Sequence, residues 1–135
     1  MNPNFQAESV RVGREFEERC YAWVTNQGWT ILGRKVRHPC GIEVDILAVD
    51  LTGERVGIEC KGGEQGRGRD GLERTDNIWK VLGQTLALHN WNRAHPDDAL
   101  RFLCLTSAQP RDVEPMAEPL RVAEANGQLT IVVVR

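Results

Sequence analysis

The sequence predicts an α/β fold, a mixed β-sheet flanked by helices with the element order α-β-β-β-α-β-α-β. Near one end apolar residues recur with a helical period; in the middle two apolar-rich runs meet at a short glycine-containing loop; beyond it, β-formers alternate with helical stretches. With 135 residues, 41% of them hydrophobic and 27% charged, the chain has material for one domain with one core. No apolar run approaches the roughly 18 residues that span a bilayer, and Met1–Val12 lacks the basic start and apolar middle of a signal peptide. A cytoplasmic protein with no membrane partner is expected.

The elements follow in order. Val12, Phe16, Cys20, Trp23 and Val24 fall on one side of a helix over Ser9–Gln27, which Gly28 ends. Trp29–Arg37 is rich in β-formers and stops at His38-Pro39-Cys40-Gly41, giving a first strand. Ile42–Asp50 and Arg55–Lys61 form a β-hairpin, because Gly53 in Leu51–Glu54 can take the positive φ of a tight turn. Gly62–Arg74 holds five glycines and three arginines with no apolar period, which reads as a mobile surface loop. A helix capped by Thr75 or Asp76 then runs to about Trp91, with Ile78, Leu82, Thr85, Leu86 and His89 on one face. Ala99–Thr106 is a buried strand. Pro119 in a first turn, Leu120–Ala125 and Asn126-Gly127 outline a last helix, and Leu129–Val134 a last strand.

Cys20, Cys40, Cys60 and Cys104 are far apart, with no Cys-x-x-Cys pair, and read as reduced core thiols. A net charge of −2 argues against coating nucleic acid by bulk charge, while leaving room for a local basic patch. Lysine is scarce: Lys35, Lys61 and Lys80 stand against 14 arginines, which singles out each of the three positions.

The hairpin carries the chemistry. Centred on Thr52, it sets Asp45 opposite Glu59 and Glu43 opposite Lys61, and sends Val44, Ile46, Ala48, Val56, Ile58 and Cys60 to the other face. One reading is a solvated sheet surface with cross-strand ion pairs. Against it, Leu47 and Val49 share the charged face, as in a hairpin covered on both sides. Two carboxylates crowded in a low-dielectric site repel each other unless a cation neutralises them, and a hard divalent metal is the natural occupant. Lys61, one strand step from Glu59, could position a water or stabilise charge on a phosphate. Glu17 lies at the edge of the first helix's buried stripe, either snorkelling to water or aimed at the cluster, with small Gly13 letting the helix come close.

These residues resemble the PD-(D/E)XK nuclease superfamily. Gly41-Ile42-Glu43-Val44-Asp45 looks like its first motif and Glu59-Cys60-Lys61 like its acid-x-Lys, while Gly13–Glu17 is similar to the Gly-x-x-x-Glu of Holliday-junction resolvases and Mrr-type restriction enzymes. The likeness covers about residues 9–106, leaving 112–135 as a C-terminal helix-strand extension. It implies a restriction-endonuclease-like core and an Mg²⁺-dependent endonuclease (Mn²⁺ as substitute) hydrolysing DNA phosphodiester bonds, with specificity for junctions or flaps one form of it. Asp45 and Glu59 would bind the metal, Glu17 would assist, Lys61 would be the catalytic lysine, and Gln84 would match the polar residue of the next helix. Val44 stands where the superfamily's proline does, and Gln84-Thr85-Leu86-Ala87-Leu88 departs from the Gln-x-x-x-Tyr of RecB-like nucleases. The rival reading is an inactive nuclease-fold module that binds nucleic acid or a partner protein. Nothing in the sequence reads a 2′-hydroxyl, so RNA stands beside DNA as a substrate.

Gly66-Arg67-Gly68-Arg69-Asp70-Gly71 matches G-x-G-x-x-G, but it does not join strand directly to helix, so no nucleotide cofactor is expected. Arg67, Arg69 and Arg74 are instead candidates for backbone phosphates, the alternative being a solvated charged loop. Lys80 and Gln84 share the helix side opposite Ile78 and Leu82, available to nucleic acid or to water. Cys60 points away from its acidic neighbours and reads as core. The four tryptophans read as core or edge packing, with one or two available to a homodimer of the kind the resemblance admits.

Overall fold

Phe16, Cys20 and Val24, four residues apart, are fully buried along one side of α1 (Pro3–Asn26), the first element of the computed structural model, which describes residues 3–63 and 68–135. The helix starts six residues before the expected Ser9. Its first turns carry no apolar stripe to reveal them, and Val10 is exposed while Arg11 pairs with Glu15 at 2.5 Å.

The strands β1 (Thr30–Arg37), β2 (Glu43–Val49), β3 (Arg55–Lys61), β4 (Arg101–Thr106) and β5 (Thr130–Val133) form one sheet in that order. The first three pair antiparallel and the last two add in parallel, across α2 (Thr75–Ala94) and α3 (Ala117–Ala125). The α/β architecture expected from the sequence is thus present. α1 covers one face, packing Phe16, Cys20 and Val24 on Ile46, Ala48, Val56, Ile58, Leu103 and Leu105. The other face buries Ile78, Val81 and Leu88 of α2 and Leu120 and Ala123 of α3 against Phe102, Cys104 and Ile131. The four cysteines are free thiols, and Cys20, Cys60 and Cys104 are buried.

The hairpin has the expected register: Ile46 opposes Ile58 and Ala48 opposes Val56. Gly53 takes φ +87°, and the Asp50 carboxylate accepts the Thr52 and Glu54 amides at 2.9 and 3.0 Å, pinning the turn. The ladder ends at Ile46–Ile58, however, so the expected pairs Asp45–Glu59 and Glu43–Lys61 are not rungs, and Glu43 opposes Arg37 of β1 instead. Val44 also leaves its expected face. It packs with the α2-side cluster, two residues from Ile46 on the α1 side. Its partner strand does the same, with Arg34 over the Tyr21 ring of α1 and Val36 among the α2-side residues. Alternation therefore flips in both strands at the Lys35–Asp45 step, where Lys35 has φ +52°.

Three local readings are corrected. The end of the glycine-rich segment is no free surface loop: Gly71–Glu73 forms a 3-10 turn, with Leu72 fully buried and its amide on Thr106 Oγ1 at 3.1 Å. α2 has neither Thr75 nor Asp76 as its cap, since Arg74 holds the cap position without a side-chain bond. Its buried residues are Ile78, Val81, Thr85 and Leu88, whereas Leu86 and Trp79 are 70% and 62% exposed; a face counted from Leu82 and His89 was rotated by part of a turn.

Candidate active site

The site forms where β2 and β3 part. Asp45 and Glu59 project from strands no longer paired to each other, and the Asp45 Oδ2 accepts the Cys60 amide at 2.7 Å, so the carboxylate caps the backbone group nearest the ladder's end. Asp45 and Glu59 are close enough to act on each other's ionisation. Glu59 is buried, its side chain 5% exposed, with Oε1 3.8 Å from Lys61 Nζ and Oε2 accepting Nε2 of Gln84. The α2 side chain expected to face away from Ile78, Gln84, therefore reaches the acids, and its own Oε1 is buried without a hydrogen-bond partner among the described residues.

Burial, then the hydrogen bond and repulsion from Asp45, push Glu59 up to about 8 against the pull of Lys61 and Gln84. Burial would raise Asp45 as well, but its bonds to Glu59, Lys35 and the Cys60 amide outweigh this and hold it low. The neighbouring carboxyls are thus pushed in opposite directions, Glu59 toward its neutral form and Asp45 toward the carboxylate.

Glu17 reaches the pair through a residue that the motifs do not contain. Lys35 Nζ donates to Glu17 Oε1 at 2.8 Å and to Asp45 Oδ1 at 2.6 Å. Burial lowers the Lys35 pKa, and these two bonds more than restore it, so the ammonium is firmly held. Only the scarcity of lysine marked position 35 in the sequence; its contact depends on the flip in strand alternation, which no periodicity reveals. Gly13 was expected to bring α1 close to the sheet, yet a Cβ there would meet nothing within 4 Å.

Cys60 lies on the α1 face beside Cys20, and that neighbour together with burial pushes its thiol up, the reverse of an activated nucleophile. Of the candidate phosphate ligands, Arg67 lies outside the described residues. Arg69 and Arg74 are exposed and line an open depression of about 320 Å³ with Thr75 and Asp76, and Arg74 is tied to Asp76 at 3.0 Å. Lys80 is exposed on α2. The glycine-rich segment begins beside the acid-x-Lys strand and ends against the end of β4: the Gly63 amide donates to Ser107 Oγ at 3.2 Å, Ser107 donates its amide to the Lys61 carbonyl at 3.3 Å, and the Leu72 amide donates to Thr106 Oγ1 at 3.1 Å.

The donor set fits a hard divalent cation. A buried carboxylate, Glu59, and a half-buried one, Asp45, lie side by side, an ammonium already occupies one side of Asp45, and the buried Gln84 oxygen has room for a partner that an ion's water would supply.

No family model matches the sequence. A UPF0102 protein of Aquifex aeolicus (strain VF5) is 44% identical over 52 residues, 38% of this chain and 48% of that protein, so the chain spans about half the length of the curated relative it matches. Among solved structures, a chain from the structure of an EndoMS-dsDNA2 complex superposes with a TM-score of 0.51 over 88% of this chain and 44% of its own length, at 16% identity. At that identity the likeness is one of fold: a sheet with three antiparallel and two parallel-added strands, carrying an acid on the second strand and acid-x-Lys on the third.

Proposed function

We propose that the chain is a metal-dependent endonuclease hydrolysing DNA phosphodiester bonds, with Asp45 and Glu59 holding Mg²⁺, or Mn²⁺ in its place. The observation that carries this reading is half-buried Asp45 beside buried Glu59, with Lys61 Nζ 3.8 Å from Glu59 and Gln84 on its other oxygen. An ion there would supply Lewis-acid stabilisation of the charge that develops on the phosphate. The protein's own groups do the rest. Gln84 orients Glu59, the Cys60 amide orients Asp45, and Lys61, only 17% exposed, directs its ammonium N–H bonds at an attacking water or phosphate oxygen. Arg69, Arg74, Lys80 and Arg67 are the proposed phosphate ligands along the strand. The fold shared with a chain solved on double-stranded DNA supports DNA as the substrate.

Single-turnover assays with linear, flap and four-way-junction DNA test the proposal. Cleavage is expected in Mg²⁺ and absent in EDTA, lost in Asp45→Asn and Glu59→Gln, and slowed on the order of 10²–10³-fold in Lys61→Met with DNA binding retained. DNA bound with unchanged affinity by all four proteins, and cut by none in Mg²⁺ or Mn²⁺, would make the chain a binding module.

A further inference from the structure

Lys35 is the one charged group of the site that neither motif nor mechanism uses. It comes from the edge strand β1 and bridges two acids, 2.6 Å from Asp45 Oδ1 and 2.8 Å from Glu17 Oε1. A surface lysine meeting a carboxylate by chance needs no special backbone. Lys35 has φ +52°, a conformation that non-glycine residues rarely adopt, at the step where both strands exchange faces. The backbone irregularity delivers the ammonium to the acids.

On the metal reading above, on which this inference rests, the two oxygens of Asp45 serve different cations. Oδ2 takes the amide of Cys60, the residue next to Glu59 on β3, so an ion held by both acids would lie on that side. Oδ1 is turned to Lys35, and Glu17 stands on the far side of that ammonium. Among the described residues no three acidic, histidine or cysteine side chains converge as one ligand group. We propose that Lys35 is a built-in second cation: its ammonium fills the position between Glu17 and Asp45 that a second divalent ion would otherwise take, so that the chain holds one metal, at Asp45 and Glu59.

The charges agree. Glu17, Asp45 and Glu59 against Lys35 and Lys61 leave one negative charge in excess when all are ionised. One divalent ion turns this into a single positive charge, matching one phosphodiester, whereas a second would leave three positive charges in a partly buried site.

Calorimetric titration and electron paramagnetic resonance of Mn²⁺ on the full chain test the stoichiometry, with thermal melts to show that each variant is folded. One Mn²⁺ is expected in the wild type and in Lys35→Arg, which keeps the cation. Two are expected in Lys35→Ala, the second disappearing in Lys35→Ala/Glu17→Gln. Glu17→Gln alone should leave affinity for the single ion within about threefold, because its partner is the lysine. Two ions in the wild type, or one in Lys35→Ala, overturns the proposal while leaving the metal site intact. A loss of tenfold or more in Glu17→Gln overturns it by making Glu17 a ligand, on the scale that metal-site partners command. Should Lys35→Ala not fold, Lys35→Met, which keeps the aliphatic stem, takes its place with the same expectations. No Mn²⁺ bound by wild type or any variant removes the metal reading itself.

Discussion

At the scale of single residues, the two acids of the site are pulled in opposite directions. Burial and the neighbouring Asp45 push Glu59 toward its neutral form, whereas Asp45 is held low by its own partners. The sign of the pH dependence follows. With the Glu59 pKa raised from 4.5 to about 8, the unfolded chain loses this proton at lower pH than the folded one, so the contribution to stability is full below pH 4.5 and is lost as pH rises through about 8. In EDTA the melting temperature is expected to fall across that window, and Glu59→Gln should flatten the fall. Equal slopes in the two proteins would show that Glu59 ionises normally. Asp45 acts in the opposite direction and in a separate window, stabilising above its ordinary 3.8 and losing that contribution in acid.

At the scale of elements, the approach to the site is built by the ends of β3 and β4. Thr106 opposes Lys61 across the parallel ladder, and its Oγ1 takes the Leu72 amide and donates to the Ala108 carbonyl at 2.9 Å, clamping the 3-10 turn before α2. Gly71 makes this clamp geometrically possible. It has φ +53°, and a Cβ there would collide with Thr106 Oγ1 and come within 2.9 Å of the Ala108 nitrogen. Gly71→Ala is expected to cost about 3 kcal/mol, from left-handed strain together with overpacking against backbone. Gly13→Ala, in a helix with open space around the added methyl, should instead stabilise by about 0.5–1 kcal/mol. Denaturant midpoints measure both, and a destabilised Gly13→Ala would restore the close helix approach that the sequence suggested.

At the scale of the whole molecule, a net charge of −2 means that any affinity for nucleic acid must come from a local surface rather than from the protein's overall field. Arg69 is exposed, whereas Arg74 is engaged by Asp76. Arg69→Ala is accordingly expected to reduce the slope of log affinity against log salt on duplex DNA by about 0.9, the share of one phosphate contact, and Arg74→Ala by less. An unchanged slope in both would assign these arginines to solvent. The same division between local pattern and global arrangement runs through the fold. The sequence by itself determined the element order, the bounds of β3 and the hairpin register, because these depend on turn chemistry and on side-chain periods that neighbouring residues set. It also marked Asp45, Glu59 and Lys61 as a cluster, since alternation along one hairpin suffices to bring them near. Only the tertiary structure decided that the ladder opens before Asp45 reaches Glu59, that Gln84 turns inward, and that Lys35 stands between Glu17 and Asp45. Each of these depends on packing between elements distant in the chain: a helix rotated on its axis, and two strands that exchange faces at one left-handed residue. Local propensity carries no record of either, because the packing of α1 and α2 on opposite faces of the sheet is what selects them.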